Sequence, residues 1–104
     1  LGAQDSNAAQ FRLVVTLDDR IEGFGVRADD TVTRERRTLR ARYQLISVAT
    51  GETVLDATAG SDAGIDVAGS EYATIAGENS ALENLTQKVA DQIVTRLSIY
   101  ARGE

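Results

Sequence analysis

The sequence predicts an α+β domain, an antiparallel meander of three strands followed by a long C-terminal amphipathic helix packed on one sheet face. Three observations carry this. Apolar and polar residues alternate from Phe11, the same alternation returns over Leu39–Leu45, and the last third of the chain carries an apolar stripe at steps of three and four. At 104 residues, 42% hydrophobic, with a net charge of −5, the chain has room for one core and is too apolar for disorder. Residues 1–104 therefore read as a single domain.

The first dozen residues hold Gly2, Asp5, Ser6 and Asn7 without apolar period and read as a loop. Phe11, Leu13, Val15 and Leu17 then alternate with Arg12, Thr16 and Asp18, which predicts a half-buried strand to about Ile21. Glu22-Gly23-Phe24-Gly25 is expected to interrupt it, and Asp29-Asp30 to form turn or bulge. The charged run from Thr31 to Arg37 has helix formers, but β-branched Thr31, Val32, Thr33 and Thr38 and the odd parity of Leu39, Ala41, Tyr43 and Leu45 favour a strand over about 31–48. A three-residue loop at Ala49-Thr50-Gly51, with Gly51 left-handed, sets Leu45 against Leu55, Tyr43 against Ala57 and Ala41 against Ala59. It sets Ile46 against Val54 and Arg42 against Thr58 on the other face. A two-residue loop scrambles the faces. The third strand covers about 53–66.

Leu82, Leu85, Val89, Ile93, Leu97 and Tyr100 form the helical stripe. Ser80 with Glu83 offers one start as a capping box, Ser70 an earlier one running through Gly77. The earlier start is preferred because Tyr72 and Ile75 extend the stripe, giving a helix over about 71–102 closed by Gly103. Ala57 and Ala59 leave a shallow groove in which it packs.

With neither His nor Cys, the chain has no material for zinc or iron–sulfur sites, thiol redox chemistry or His-based triads, so no metal and no cofactor is expected. Gly23-Phe24-Gly25-Val26-Arg27-Ala28 fits a loose dinucleotide pattern, but Asp29-Asp30 repels phosphate and a β-branched run replaces the required helix. Asp62, Asp66 and Glu71 miss calcium-loop spacing, with Gly64 where a ligand belongs. Asn84-Leu85-Thr86 is a sequon by chance on a helix, Lys88 has no serine three residues before it, and nothing marks out a catalytic carboxylate pair. The reading is not an enzyme.

Charge placement is more informative. Arg34, Arg36, Arg37, Arg40 and Arg42 are five of the 11 basic residues, while Tyr43–Gln87 holds seven acidic residues and no basic one. Arg34, Arg36, Arg40 and Arg42 share the even parity opposite Leu39–Leu45. Guanidinium groups about 6–7 Å apart along a strand suit phosphate or carboxylate recognition. The plainer reading is a solvated face paired to partners such as Asp56, or edge protection by charge. Nucleic acid is disfavoured by the acidic balance and the lack of interleaved aromatics.

Six segments, taken together and in order, resemble the LPS-assembly lipoprotein family (LptE, older name rare lipoprotein B), in its alphaproteobacterial form. They are Gly23-Phe24-Gly25-Val26-Arg27, Asp30-Thr31-Val32-Thr33-Arg34, Leu39-Arg40-Ala41-Arg42-Tyr43-Gln44-Leu45, Thr50-Gly51-Glu52, Ser70-Glu71-Tyr72-Ala73-Thr74 and Ala90-Asp91-Gln92-Ile93-Val94-Thr95-Arg96-Leu97. The resemblance runs from Phe11 to Arg102. It implies a small outer-membrane lipoprotein on the periplasmic face that plugs the LptD barrel, aids its assembly and binds lipopolysaccharide, with Arg34, Arg36, Arg40 and Arg42 facing barrel or lipid A phosphates. The family fold is a small sheet with two helices on one side; here the lipidated Cys, the first strand and the first helix are absent, and Leu1-Gly2 reads as the tail of that helix. The lipid anchor is expected on a Cys upstream. A rival reading is an auxiliary lipoprotein of an ABC-type lipid transport system. With one helix of two, the face carrying Leu13, Val15, Leu39, Tyr43 and Leu55 is expected to be partly bare and the chain to form a homodimer.

Overall fold

The computed structural model describes residues 10–26, 32–67 and 69–103; the loop expected over residues 1–9 and the Asp29-Asp30 turn lie outside them. The element order is β1 (Phe11–Val26), β2 (Val32–Ser47), β3 (Thr53–Asp66) and α1 (Glu71–Ala101). The sheet is an antiparallel meander in the order β1-β2-β3.

β1 does not stop at Ile21. Its register with β2 runs unbroken in slope from Phe11↔Ser47 through Glu22↔Arg36 and Phe24↔Arg34 to Val26↔Val32. Glu22 and Phe24 keep the strand going because each finds an arginine across it. The guanidinium groups of Arg34 and Arg36 lie 5.8 and 5.3 Å from the Phe24 ring centre, a contact that favours cation over aromatic face. Gly23 and Gly25 are thereby carried inside a strand, which leaves no strand-to-helix turn for the dinucleotide reading.

The β2–β3 register has the expected pairs Leu45↔Leu55, Tyr43↔Ala57, Ala41↔Ala59 and Arg42↔Thr58. The turn itself differs. The Ser47 N–H donates to the Glu52 carbonyl oxygen and the Gly51 N–H to that of Ser47, both at 2.8 Å, closing a four-residue loop over residues 48–51. Gly51 has φ +76°, as the left-handed position demands. Ile46 consequently pairs with Thr53 rather than Val54, and Val54 is inserted as a bulge that returns the strand to its register at Leu55. The bulge lets Val54 pack against the core with the odd-numbered residues.

α1 begins at the earlier of the two candidate starts. Ser70 is extended, and its Oγ accepts from the Ala73 N–H at 3.3 Å, satisfying a donor that the first turn leaves free. The stripe does not explain this start, since Tyr72 is 84% exposed and Ile75 is exposed as well. Arg102 caps the C-terminus and Gly103 follows at φ +78°.

The helix packs on β3 and β2. Its inward residues Leu85 and Val89 bury against Leu39, Ala41, Tyr43, Leu45, Leu55 and Ala59, with Ile93, Leu97 and Tyr100 partly buried beside them, and Ala81 and Ile65 are buried as well. Small side chains at Ala41, Ala57 and Ala59 make room, and Leu85 is wholly buried. Nearer the helix N-terminus, a Cβ on Gly77 would stand 3.3 Å from Ile65 Cγ2, so glycine is what lets the helix lie this close to β3. That approach offsets the roughly 1 kcal/mol that glycine costs inside a helix. Leu39, Tyr43 and Leu55, expected to be bare, are therefore covered; a single helix lying across two strands suffices for them. The helix does not extend over β1, where Phe11, Leu13, Val15, Leu17 and Ile21 remain 41–63% exposed.

Candidate functional site

Antiparallel pairing places Arg34, Arg36, Arg40 and Arg42 on the sheet face opposite the helix, as their parity requires. They do not stand as four free cations. Arg42 binds Asp56 through two hydrogen bonds of 3.1 and 2.7 Å, and Gln44 Nε2 donates to the same carboxylate at 3.4 Å. Arg36 lies 3.5 Å from Asp62 and Arg34 3.7 Å from Asp66. The hydrogen bonds from Arg42 hold the Asp56 carboxyl below its ordinary range, and the same contact pushes the guanidinium up. Among the described residues Arg40 has no ion-pair partner. It faces Asp18 and Gly60 across the sheet and lines a groove of about 390 Å³ with Asp18, Arg20, Glu22 and Thr38. The face is a cross-strand ladder that neutralises itself at three rungs and leaves one guanidinium open.

The fifth arginine of the run, Arg37, has odd parity and lies on the helix side. Its side chain is only 12% exposed. Two of its nitrogens donate to Asp19 at 2.9 and 2.6 Å, and the third donates to the Glu78 carbonyl oxygen on α1 at 3.0 Å. This contact lowers the Asp19 carboxyl, while Glu35, two residues before Arg37, is driven the other way. A hydrogen bond shared with Glu78, together with burial, raises the Glu35 carboxyl above its usual value, and its Oε1 is buried without a further partner. The sequence signal for this junction was charge at odd positions, Asp19, Glu35 and Arg37 interrupting the apolar parity.

Two features of the sheet border were not read from the sequence. The β3 edge is closed at Gly60 by the Gln92 side chain, which accepts from the Gly60 N–H at 3.1 Å and donates to its carbonyl oxygen at 3.0 Å. At the opposite corner a groove of about 610 Å³ opens between β1 and the end of α1, lined by Gln10, Phe11, Leu45, Leu97 and Tyr100, with Phe11 and Tyr100 edge to face at 6.1 Å. It continues into the exposed Leu13–Ile21 strip. Among the described residues no group of three or more acidic side chains is arranged to hold a metal ion, and no helix is long and apolar enough to cross a membrane.

A three-stranded antiparallel meander under one long helix, with a charged sheet face and an exposed apolar strip on β1, makes this an α+β sheet-and-helix domain. Residues 3–97 match the lipopolysaccharide-assembly family LptE, and the chain belongs to that family of non-catalytic lipopolysaccharide-assembly lipoproteins. Its fold is similar to the 2.40 Å crystal structure of a candidate lipoprotein from Caulobacter crescentus CB15, with a TM-score of 0.71 and 22% identity over 91% of this chain and 69% of that one. No curated protein matches the chain at a significant level.

Proposed function

We propose that this protein is a partner of the outer-membrane barrel LptD, seated in its lumen from the periplasmic face and anchored there by a lipid on a Cys upstream of Leu1. The observation that carries this reading is the family match over residues 3–97. Shape and surface support it. The cross-section is 26 × 21 Å, which fits inside the larger outer-membrane barrels, those of about 22–26 strands being on the order of 40–50 Å across their backbones. The lumen of such a barrel is polar, and the Arg34–Arg42 face is mostly charged, with Phe24 lying under two of its guanidinium groups.

The ladder also proposes where lipopolysaccharide is met. Arg40 is the open position for a lipid A phosphate, with Arg34, Arg36 and Arg42 on the same face to add charge once a phosphate competes with their aspartates. On the apolar side, the bare β1 strip favours self-association of the chain when no larger partner covers it.

Co-expression with the cognate LptD tests the principal reading. Co-purification, with protection of this chain from protease, is the expected result; a full-length protein that never associates with the barrel overturns it. For the phosphate contact, Arg40→Glu is expected to weaken lipopolysaccharide binding at low salt, and binding equal to that of the parent would return the face to a purely structural role.

A further inference from the structure

We infer that the phosphate seat lies between Arg40 and Arg42, over Gly60 and beside the Thr58 hydroxyl, and that it prefers a phosphomonoester dianion to a singly charged diester. This rests on the reading that Arg40 meets a lipid phosphate, and adds what shapes the site. The first support is a regular lean in the ladder. Arg42, opposite Thr58, binds Asp56, two residues earlier in β3. Arg36, opposite Gly64, lies 3.5 Å from Asp62, again two residues earlier. Arg34 reaches Asp66 directly opposite, yet leans the same way, for a Cβ on Gly64 would stand 3.0 Å from its Nη2. Arg40, opposite Gly60, finds Thr58 where the lean would bring a carboxylate. The aspartate series skips this rung, and the glycine opposite offers no side chain in its place.

The other neighbouring strand does not fill the gap. Asp18 faces Arg40 in the register, but it accepts from Arg20 Nε at 3.3 and 3.1 Å, and among the described residues no ion pair joins it to Arg40. Pair spacing adds to this. The Val48 N–H bond to Gln10 makes Asp18↔Arg40 a hydrogen-bonded pair, whose side chains stand farther apart. The Val67 N–H bond to Thr33 makes Arg40↔Gly60 and Arg42↔Thr58 pairs of the closer, non-hydrogen-bonded kind.

Spacing and valence then describe the occupant. Arg40 and Arg42 stand about 6–7 Å apart along β2, and one phosphate with an oxygen about 2.8 Å from each guanidinium spans that distance. A Cβ on Gly60 would stand 3.5 Å from Arg40 Cγ, so glycine keeps the floor of the seat clear. Thr58 is exposed beside it, with a hydroxyl able to donate. A monoanion is satisfied by Arg40 alone. A dianion brings a second charge to Arg42 and competes there with Asp56.

Phosphatidylcholine vesicles carrying phosphatidic acid, a phosphomonoester, or phosphatidylglycerol, a diester, at matched surface charge provide the test. The parent chain is expected to bind the phosphatidic acid vesicles about tenfold more tightly than the others. Thr58→Asp supplies the missing rung and should weaken that binding about tenfold, as far as Arg40→Gln does. Thr58→Val keeps a β-branched strand former, removes only the hydroxyl, and should lose about threefold. Asn84→Asp, the same added charge at an exposed helix position, should change nothing, and Asp56→Asn should strengthen binding. Loss in Arg40→Gln but not in Thr58→Asp or Thr58→Val overturns the seat and leaves the phosphate reading standing; no loss in any of them overturns both. Equal binding of the two lipids overturns the preference for a dianion. Displacement by inorganic phosphate at concentrations comparable to the lipid would assign the seat to the free anion and overturn the headgroup as its occupant.

Discussion

Gln92 acts as a one-residue substitute for a fourth strand, its carboxamide meeting both backbone groups of Gly60, at 3.1 and 3.0 Å. An amide side chain has the same donor and acceptor as a peptide unit, so it can meet both backbone groups of one edge residue. A helix residue thus finishes the sheet on the side away from β1.

Gln92→Ala removes that closure without touching the core. Two partly solvated hydrogen bonds are lost, so a decrease of about 1 kcal/mol in unfolding free energy is expected. Faster amide exchange at Gly60 checks where the loss occurs.

Leu85→Ala is expected to be the most damaging single truncation in the helix. Leu85 is fully buried among Ala41, Ala59 and the surrounding cluster, and small neighbours collapse poorly into a void. A loss of about 2–5 kcal/mol follows, a large share of the roughly 5–15 kcal/mol typical of a whole domain. Urea denaturation monitored by circular dichroism measures it.

Tyr72→Ser and Ile75→Ser should leave stability within about 0.5 kcal/mol of the parent, because both side chains are exposed. Ser70→Ala, two residues before Tyr72, should cost about 1 kcal/mol through the lost cap. A thermal melt of all three variants separates capping from stripe.

The junction between β2 and α1 makes stability depend on pH in two directions. Glu35 binds its proton more tightly folded than unfolded, so its contribution is complete below its unfolded value and fades as pH rises through its folded one. Asp19 and Asp56 have lowered values, so theirs is present at neutral pH and fades as pH falls below the ordinary carboxylate range. Glu35→Gln should therefore raise the melting temperature relative to the parent near pH 7, with the difference shrinking toward pH 4. A gain that is the same at both pH values would rule out the shared proton as its cause.

Periodicity made most of the fold legible. Leu45, Tyr43 and Ala41 have their expected partners because a strand has only two faces, even though the loop holds four residues instead of three and a bulge at Val54 is needed to restore the register. The charged face followed from the same parity, which needs only counting. What the sequence hid was long-range: Phe24 holding β1 together through Arg34 and Arg36, Gln92 reaching Gly60, and one helix sufficing for Leu39, Tyr43 and Leu55. Each joins residues distant in sequence, and no local propensity encodes it. Tyr72 and Ile75 failed for a related reason, since an apolar spacing marks a helix face without saying how far the surface beneath it extends.

The aspartate at each of three arginines sets the terms on which an anion would bind the proposed face. An anion arriving at Arg34, Arg36 or Arg42 must displace Asp66, Asp62 or Asp56, carboxylates held on the neighbouring strand at a high local concentration. A dilute monovalent anion competes poorly with a tethered rival, whereas a doubly charged group that first settles at Arg40 is itself tethered and can contest the adjacent rungs. Phosphate binding at the proposed site would then select by valence and by spacing.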